Sequence, residues 1–437
     1  MRIPRTRLAL VLAALMAVVV LPSAPSGAAD STTWEIDHVS IGPGVTFSRV
    51  KWVQGSNTSR PLILEIAPFA NGSTVDVASA STKIEMSAKV SKMGSDHQAY
   101  GAINGDFGIK RPDHVFVEDG KMWGSGLQNG GTIFGFRKDE VGGYVGPPRT
   151  KIQYKTGTTV KEIKRWNSGK PGAGEIVAFS AEGGTPEKPP ADACSVRLVN
   201  PGAHKWTSGK KAIQRTYTIE ARKCSASGAM AAPTGQQIVL SSKRRGAGKK
   251  ALNALNLGGT LTLKWGTAAV GAADVVGGRQ HMVIDGGPGE VACDPGVGDD
   301  LCDANPRAGV GMNAACTIGP SADCRVYYVV VDGRQGATWS QGLTLANFSR
   351  FMYEVLDVDQ AVNLDGGGSA TMWIKKVAGL PTGSQGACQY TNSMSSFGCV
   401  VNRPSTNGST ITERGSENAV LVKPEPDSFP AAEPSGL

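Results

Sequence analysis

Two short segments decide the fold, Val329-Val330-Val331-Asp332-Gly333-Arg334 and Val362-Asn363-Leu364-Asp365-Gly366-Gly367-Gly368-Ser369. In each, an apolar run typical of a buried strand leads directly into an Asp-Gly step. Between them, apolar residues recur at helical spacing, which predicts a helix that buries Leu345, Phe348, Met352 and Val355. Strand, helix and strand within about 40 residues form a crossover unit, so we expect the two strands to be parallel and buried.

The whole sequence predicts an α+β fold that is β-rich, with mixed sheets and a β-α-β unit that carries the main motifs. Among 437 residues there are 57 glycines and 25 prolines, which indicates many turns, and 40% of residues are hydrophobic, which is enough for a core. Only 19% of residues are charged and 6% are aromatic. These numbers exclude a coiled coil, a collagen-like repeat and a highly charged disordered protein.

The step from an apolar strand into Asn-Gly or Asp-Gly recurs at 102–106 and at 282–287. One interpretation is hairpin chemistry, because these dipeptides suit type I′ turns, and it suffices for the turn at Asp119-Gly120. For Asp332 and Asp365 we favour a binding site, because α/β sheets place ligands at the carboxyl ends of strands. The glycines that follow Asp365 let a ligand approach the backbone closely.

The first 29 residues have the pattern of a secretory signal peptide. Arg2, Arg5 and Arg7 precede an apolar run at 8–21, and small residues lead to Ala29. A membrane anchor is the alternative, but the run is shorter than the roughly 20 residues that cross a bilayer. We therefore expect cleavage after Ala29, a secreted, extracellular protein, and no integral membrane segment after signal removal.

The remaining chain is expected to form one domain at 30–422, followed by a disordered tail at 423–437. Motifs are dense at 95–145 and 276–402, whereas 146–275 is more polar and is expected to form strands and loops of a less constrained layer. Basic residues gather around 161–170 and 243–250 without interleaved aromatic residues. They predict a solvated surface, with attraction to anionic cell-wall polymers as the alternative, and no nucleic-acid partner.

The eight cysteines of an exported chain predict disulfide bonds. Sequence alone allows many pairings, and closeness along the chain favours Cys293–Cys302, Cys316–Cys324 and Cys388–Cys399, which leaves Cys194–Cys224. No two cysteines have the close CxxC spacing of a metal site, so we interpret them as structural.

Several common enzyme chemistries lack their signatures in this sequence. The five histidines are far apart, and neither an HExxH, a GxSxG nor a GxxxxGK[ST] motif is present. Aspartates 294, 299, 300 and 303 miss the EF-hand spacing and predict an acidic loop, with weak calcium binding as the alternative. We expect no cofactor, although a divalent cation such as calcium stays an alternative. Carboxylates and arginines are left for chemistry, and they suit sugar hydrolysis and anion recognition.

Six motifs together resemble the phosphodiester glycosidase family. They are Asn-Gly-Asp-Phe at 104–107, Asn-Pro-Arg at 305–307, Val-Asp-Gly-Arg-Gln at 331–335, Gly-Leu-Thr-Leu at 342–345, Asn-Leu-Asp-Gly-Gly-Gly-Ser-Ala-Thr-Met at 363–372 and Asn-Arg-Pro at 402–404. The segment from Gly277-Gly278 to Asp285-Gly286 also matches. The resemblance covers about residues 95–422 and is densest at 276–402. The chain departs from the family at Gly108, where a second aromatic is usual, and at Ala308, where a threonine is frequent.

The resemblance implies a hydrolase that cleaves the glycosidic bond of a sugar-1-phosphodiester and releases the sugar and a phosphate monoester. Because the leaving group is already a stable anion, charge neutralisation at phosphate matters most, and arginine suits that role. Carboxylates act at the anomeric carbon as nucleophile or base. The catalytic candidates are Asp365, Asp106 and Asp332. The substrate-binding candidates are Arg307, Arg334, Arg403, Asn104, Asn363, Gly366, Gly367, Gly368, Ser369 and Asp285.

Each candidate also has a structural interpretation. An arginine can form a salt bridge, and an aspartate at a strand end can cap a turn or orient an arginine, most of all Asp332. Two other functions fit the motifs: a non-catalytic carbohydrate- or cell-wall-binding protein, and a phosphodiesterase that cuts P–O instead of C–O. The expected partner is a sugar-phosphate diester, or a cell-wall or exopolysaccharide substrate.

Overall fold

A computed structural model describes residues 31–69, 72–108, 111–126, 131–137, 142–184, 188–202, 205–206, 213–224, 229–267, 274–292, 300–378, 380, 388, 397–408 and 410–425. The predicted signal peptide and residues 426–437 of the predicted tail at 423–437 lie outside these residues. Lys423 and Pro424, which the prediction gave to the disordered tail, instead end a paired strand, because they continue its hydrogen-bonded register with Thr74 and Ser73. Strands make up 47% and helices 10% of the structure, which confirms the prediction of a β-rich α+β fold.

The strands are numbered in chain order. Up to residue 166 they are β1 Ser31–Gly42, β2 Val45–Gln54, β3 Asn57–Ser59, β4 Pro61–Ile66, β5 Ser73–Ser79, β6 Ala88–Lys89, β7 Gly101–Asn104, β8 Val115–Glu118, β9 Lys121–Ser125, β10 Thr132–Arg137, β11 Gly142–Gly146, β12 Lys151–Thr156, β13 Thr159–Glu162 and β14 Arg165–Trp166. They continue as β15 Ile176–Ser180, β16 Ala193–Val199, β17 Lys205–Trp206, β18 Ile213–Lys223, β19 Ile238–Lys243, β20 Thr260–Gly266, β21 Asp274–Gly278, β22 His281–Ile284, β23 Gly287–Pro288, β24 Arg307–Met312, β25 Val326–Val331, β26 Gln360–Leu364, β27 Met372–Lys375, β28 Gly398–Val400, β29 Gly415–Ser416 and β30 Asn418–Pro424.

The helices are short. The α-helices of the described residues are α1 Val90–Asp96, α2 Ala247–Asn253 and α3 Leu345–Arg350, and a π-helical segment, Phe351–Val355, continues α3. Single 3₁₀ turns occur at Ala181–Gly183, Ala314–Thr317 and Gly367–Ser369. Within the part of the chain that is described, no helix has both the length and the apolar character needed to cross a membrane.

The strands of the described residues form four large sheets and one small one. A central sheet has the order β1-β2-β4-β25-β24-β26-β22-β23, with β3 beside β2, and a second sheet has the order β28-β27-β7-β30-β5. The others are β11-β10-β21-β8-β9, then β13-β12-β20-β18-β16-β19-β15-β14 with β17 beside β18, and β29-β6. Neighbouring strands are antiparallel except β14 and β15, which are parallel, so the sheets include a mixed one.

The predicted crossover unit lies in the middle of the central sheet. β25 and β26 both pair antiparallel with β24, so they are parallel to each other as predicted, but β24 lies between them. Thr344 caps the N-terminus of α3 through its side-chain oxygen. Leu345, Phe348 and Met352 are buried as predicted, whereas Val355 is exposed.

The middle strands β25, β24 and β26 of the central sheet are buried on both faces, which their unbroken apolar runs predict. On β25, Val329 and Val331 belong to the cluster that contains the apolar residues of α3, while Tyr328 and Val330 belong to a core shared with the β28-β27-β7-β30-β5 sheet. This alternation follows from the two-residue period of a strand. Because β25 and β26 are parallel, Asp332 and Asp365 follow them at the same edge of the sheet.

Residues 151–266 build a separate layer. All nine strands from β12 to β20 form one sheet, and its core includes Tyr154, Trp166 and Trp265. The same core includes Val117 and Val275 of the β11-β10-β21-β8-β9 sheet. The strands predicted for this segment therefore form a complete sheet that packs against the rest of the fold.

Three of the four predicted disulfides are confirmed. They join Cys194 to Cys224, Cys316 to Cys324, and Cys388 to Cys399. The fourth predicted pair includes Cys293, which lies outside the described residues.

Candidate active site

The candidate site forms where β7 of one sheet and β26 of another end side by side. The buried Asn104 side chain donates from Nδ2 to the Asp365 carbonyl at 2.7 Å and accepts from the Thr371 N–H at 3.0 Å. The Asp365 N–H donates to the Gly105 carbonyl at 3.1 Å. The Asn104 amide thus joins the end of β7 to Asp365 after β26 and to Thr371 before β27, which brings Asp106 close to Asp365.

Asp365 is a largely buried carboxyl group with mixed electrostatic surroundings. Burial raises its pKa to about 6, and the neighbouring Asp106 carboxylate acts in the same direction. The Ser369 hydroxyl and the guanidinium groups of Arg414 and Arg279 oppose this shift by stabilising the ionised form. Asp365 therefore changes its charge near pH 6, within the range in which a carboxyl group serves as a base or nucleophile.

Asp106 forms a buried pair with His114, a residue that the sequence did not single out. Asp106 Oδ1 lies 2.7 Å from His114 Nδ1, and Asp106 Oδ2 accepts the His114 N–H at 2.7 Å. Burial raises the pKa of Asp106, and the contacts with His114 lower it. Because both oxygens contact His114, Asp106 orients the imidazole. The one available signal was a histidine that follows Asp106 by eight residues.

Two glycines at the end of β21 make room for this pair. A Cβ at Gly277 would lie 2.2 Å from the Cβ of His114 and 3.1 Å from Asp106 Oδ2. A Cβ at Gly278 would lie 2.5 Å from the Asn363 carbonyl oxygen. Since real Cβ atoms do not come so close, only glycine fits here, and β21 can pack directly against the site.

Arg279 and Arg414 bring positive charge to Asp365, and neither was predicted. The Arg279 guanidinium carbon lies 4.2 Å from the Phe107 ring centroid, and Arg279 Nη2 lies 3.8 Å from an Asp113 carboxylate oxygen. Both arginines are exposed. They precede β22 and β29. Arg279 lies within the matching segment 277–286 but was not singled out, and Arg414 lies outside every motif, so folding was needed to bring both to Asp365.

The Gly366-Gly367-Gly368 segment forms a tight turn against the protein's own chain. Gly367 has a φ of 57°, and its N–H donates to the Pro306 carbonyl at 2.9 Å. A Cβ on Gly367 would lie 3.4 Å from Arg334 Nη2, and one on Gly368 would lie 2.4 Å from Thr406 Oγ1. The close approach predicted for these glycines is therefore made by Pro306, Arg334 and Thr406, and the Gly367 N–H is already used.

Arg334 is an exposed residue whose guanidinium is held beside this turn. Nε donates to Asn305 Oδ1 at 2.9 Å, and Nη1 donates to the Thr406 carbonyl at 2.7 Å. The backbone has a φ of 61°, in the left-handed region that few non-glycine residues adopt. The structure thus places an oriented cation at the edge of the sheet where Asp365 lies.

Arg307 is placed differently from its prediction as a phosphate contact. It is only 4% exposed, and Nε donates to the Leu343 carbonyl at 2.8 Å. Nη2 lies within hydrogen-bond distance of the carbonyls of Asp300, Leu301 and Asp303. These contacts fasten the 300–303 loop, so they support a structural role for Arg307.

Asp332 also has mainly structural contacts. Its carboxylate accepts hydrogen bonds from Trp339 Nε1 at 3.0 Å, the Arg403 N–H at 2.7 Å and Asn402 Nδ2 at 3.3 Å. Burial raises its pKa, and these hydrogen bonds lower it. The guanidinium carbons of Arg403 and Arg60 lie 3.4 Å and 3.9 Å from the Trp339 ring centroid. Asp332 thus orients Trp339, and the Arg403 guanidinium lies against the Trp339 ring.

Two remaining candidates lie away from Asp365 or have protein partners. Asp285 and Gly286 have φ values of 51° and 72° between β22 and β23, which is a type I′ hairpin turn. Asp285 Oδ1 accepts from Gln360 at the start of β26, the end opposite Asp365, so the structure places Asp285 away from the other candidates. Asn363 is buried and donates from Nδ2 to Gln280 Oε1 at 2.8 Å.

Three carboxylates outside this site lie close enough to hold a metal ion. Ligand oxygens of Asp76, Asp119 and Asp274 lie within 4.8 Å of one another, and the Lys423 ammonium pairs with Asp76. Burial, and then the charge of Asp76, raises the pKa of Asp274 well above its usual value. Lysine therefore already supplies a cation to this cluster. Of the aspartates considered for calcium, 294 and 299 lie outside the described residues.

Comparison with known proteins finds a family to which the C-terminal part of the chain is similar. Residues 211–423 match the family model of phosphodiester glycosidase. A hypothetical protein from Synechocystis aligns with a TM-score of 0.57 and 15% identity, over 87% of this chain and 62% of that one. A protein from Burkholderia pseudomallei aligns with a TM-score of 0.57 and 14% identity, over 93% and 99% of the two chains. No curated protein shows significant similarity.

The catalytic domain of zebrafish N-acetylglucosamine-1-phosphodiester alpha-N-acetylglucosaminidase, auto-inhibited by its pro-peptide, aligns with a TM-score of 0.39 and 13% identity, over 90% of this chain and 87% of that one. The Synechocystis and Burkholderia structures show that the fold is shared, although the chain spans 62% of the length of the Synechocystis protein. The matched residues contain the motifs at 305–307, 331–335, 342–345, 363–372 and 402–404. The resemblance predicted from the sequence is confirmed: from residue 211 to residue 423 the chain is similar to the phosphodiester glycosidase family.

Proposed function

We propose that this protein hydrolyses the glycosidic bond of a sugar-1-phosphodiester and releases a sugar and a phosphate monoester. The observation that carries the proposal is Asp365, a largely buried carboxyl group whose pKa is raised to about 6 and which lies in the field of Arg279 and Arg414. A carboxylate with arginines around it is the combination that this reaction needs: a base or nucleophile at the anomeric carbon and positive charge at the leaving phosphate.

Asp365 acts in its ionised form at the anomeric carbon. The phosphate ester leaves as a stable anion, so little protonation of the leaving oxygen is needed, and a strong general acid adds little. Arg334, Arg279 and Arg414 are exposed at the site, and they neutralise the charge that develops on the phosphate oxygens. Hydrogen bonds already orient Arg334, so less conformational freedom is lost when the anion binds.

Asp106 and His114 act as positioning residues in this proposal. The Asp106 carboxylate fixes the His114 ring through Nδ1, as the short contact between them indicates. Its negative charge raises the pKa of Asp365 and disfavours a second ionised carboxyl nearby. The pair thus adjusts the charge of Asp365 without contacting the substrate.

Hydrolysis in ¹⁸O-labelled water tests the reaction directly, with nucleotide-sugar and teichoic-acid-like phosphodiesters as substrates and released sugar as the readout. Attack at the anomeric carbon breaks C–O, so we expect the label in the sugar. Label in the phosphate product would identify a P–O-cleaving phosphodiesterase and contradict the proposal. Tight binding of these diesters without turnover would identify the alternative, a non-catalytic binding protein.

We further propose that the protein is exported and acts on a sugar-phosphate diester of the cell wall or of an exopolysaccharide. Three disulfides join cysteines of the described residues, and such bonds persist in oxidising compartments. The chain also begins with the signal-like residues 1–29. N-terminal sequencing of the protein from culture medium should begin at Asp30, and a cytosolic chain that begins at Met1 would contradict export.

A further inference from the structure

Two arginines stack on one tryptophan in the loops that cover the strand end at Asp332. The guanidinium carbons of Arg60 and Arg403 lie 3.9 Å and 3.4 Å from the Trp339 ring centroid. At these distances both groups cannot share one face of the ring, so they lie on opposite faces. All three side chains are partly exposed, and none belongs to a hydrophobic core cluster of the described residues. This Arg60–Trp339–Arg403 stack is therefore open to a ligand.

The stack has more positive than negative charge around it. Within the described part of the chain Arg60 forms no ion pair, and its Nε donates to the Trp339 carbonyl at 3.0 Å. Burial, and then the charges of Arg49 and Arg403, lower the pKa of Arg60, and the Asp332 carboxylate opposes them. Each cation thus disfavours the next, and a bound anion would relieve this repulsion. The charge of the stack therefore favours an anionic ligand.

Arg60 presents donors that the protein itself does not use. Neither of its Nη atoms donates to a described residue, and neither is buried. The Trp339 ring and the bond from Nε fix the plane of the guanidinium, so the two Nη atoms form a preset fork for the oxygens of a phosphate. Because guanidinium groups cover both faces of the ring, a nucleobase cannot stack on it. The stack therefore recognises charge.

The stack lies at the same edge of the central sheet as Asp365. Trp339 Nε1 donates to Asp332 after β25, Arg60 directly precedes β4, and Asp365 follows β26. The strand order is β4-β25-β24-β26, so two to three strand spacings, about 10–14 Å, separate the stack from Asp365. Arg334 lies between them, with its guanidinium beside the glycine turn that follows Asp365. A phosphate at Arg334 therefore has the stack on the side away from Asp365.

We propose that the Arg60–Trp339–Arg403 stack binds a second phosphate, carried by the leaving group of the substrate. This inference rests on the proposed hydrolysis, in which Arg334 neutralises the first phosphate, and it names the class of diester that is cleaved. The interval between Arg334 and the stack fits two phosphates joined by a short carbon linker, as in a phosphodiester polymer. The directly bonded phosphates of a pyrophosphate are too close together to reach both.

Isothermal titration calorimetry on the whole protein tests the subsite with three probes: glycerol phosphate, glycerol 1,3-bisphosphate and inorganic pyrophosphate. We expect the bisphosphate to bind at least about 10-fold more tightly than glycerol phosphate, because a second set of charge-assisted hydrogen bonds forms. We also expect it to bind more tightly than pyrophosphate. Affinities of the two glycerol phosphates within about 2-fold of each other, or tighter binding of pyrophosphate, would overturn the proposal.

Matched variants locate the second phosphate. Arg60→Gln and Arg403→Gln each remove one guanidinium and should reduce the preference for the bisphosphate to less than about 3-fold. Arg60→Lys keeps the charge without the fork and should show an intermediate preference. Arg325→Gln changes a partly exposed arginine that pairs with Glu65 at the other end of β25, and it should keep the preference of the parent.

Circular dichroism confirms that each variant is folded. A full preference for the bisphosphate in both folded glutamine variants would place the second phosphate elsewhere and overturn the assignment. Binding is measured without turnover, so this test and the hydrolysis assay can fail separately. Hydrolysis without a preference for the bisphosphate would contradict the subsite alone. A preference that depends on Arg60, in a protein that hydrolyses no diester, would contradict the proposed function and support the subsite.

Discussion

The strand ends at Asp332 and Asp365 resemble each other in sequence and differ in structure. Each aspartate follows an apolar strand and precedes glycine, and the two strands are parallel within one sheet. Yet the Asp332 carboxylate accepts hydrogen bonds from Trp339, Asn402 and Arg403, which all come from loops that cover that strand end. Around Asp365 the described contacts are a serine hydroxyl and the fields of two exposed arginines.

The strand-end motif places an aspartate at the edge of the sheet. The loops that cover the strand end determine which groups contact the carboxylate, and therefore whether its role is structural or chemical. Burial raises the pKa of both carboxyl groups. At Asp332 three donors satisfy the buried charge, which makes it a rigid support for Trp339. At Asp365 fewer fixed donors are present, so the group keeps the capacity to exchange a proton or attack a substrate.

The largest expected effect is a difference in kcat between variants of the two aspartates. Asp365→Asn removes the ionisable oxygen and should lower kcat by about 10³-fold, because the attacking or activating carboxylate is lost. Asp332→Asn keeps the shape of the support and should lower kcat by less than about 10-fold. Steady-state kinetics on one phosphodiester, with circular dichroism as a check of folding, compares the two. Equal losses in both folded variants would remove the distinction.

A smaller loss of kcat/KM is expected when Arg334, the arginine beside the glycine turn, is replaced. Arg334→Ala removes an oriented guanidinium from the phosphate and should lower kcat/KM by about 10²-fold. Arg350→Ala is a matched control, since this arginine pairs with Glu354 on the surface of the crossover helix. The control should retain activity within about 2-fold. Normal activity in folded Arg334→Ala would exclude Arg334 from the site.

For stability we expect the reverse of the order for turnover: replacing Asp332 should lower the free energy of unfolding, whereas replacing Asp365 should not. Asp332→Ala leaves the buried donors of Trp339 and Arg403 without their acceptor, and we expect the free energy of unfolding to fall by about 3 kcal/mol. Urea denaturation measures this loss. A change below about 0.5 kcal/mol would show that Asp332 does not support this strand end.

Asp365→Asn should stabilise the protein at neutral pH. The folded-state pKa of Asp365 is about 6, above the ordinary value of 3.8, so the folded state binds the proton more tightly. Stability from this group is therefore complete at low pH and is lost as the pH rises from about 4 to 6. Asparagine does not ionise, so the variant does not lose this stability. Its free energy of unfolding should exceed that of the parent by about 1–3 kcal/mol at pH 7. An advantage that does not change with pH would contradict the raised pKa.

Local pattern was enough to predict the parts of the molecule that depend on neighbouring residues. The crossover helix, the parallel strands and the disulfides Cys316–Cys324 and Cys388–Cys399 were predicted from spacing within a short stretch of chain, and Cys194–Cys224 was then the pair left over. The insertion of β24 between β25 and β26 was not predicted, since sheet order depends on distant pairing. Asp285 was predicted to bind substrate because a hairpin turn and a strand-end site share the Asp-Gly step.

The unpredicted site residues share a physical reason. Arg279 and Arg414 come close to Asp365 from separate loops, and no local spacing relates them to that carboxyl group. His114 follows Asp106 by eight residues, but that spacing belongs to no motif that would have singled it out. Arg307 was predicted to bind phosphate from its motif, but burial turned its donors toward the 300–303 carbonyls. Partners of this kind are set by how the sheets pack.

The central claim is that ionised Asp365 attacks or activates at the anomeric carbon, and the pH dependence of kcat/KM tests it most directly. We expect kcat/KM of the parent protein to rise through an apparent pKa of about 6 to a plateau at neutral pH, because Asp365 loses its proton there. In Asp365→Asn the residual activity should show no limb near pH 6. A parent profile that is flat from about pH 4.5 to 7.5, or a limb that persists unchanged in the variant, would contradict the role of Asp365.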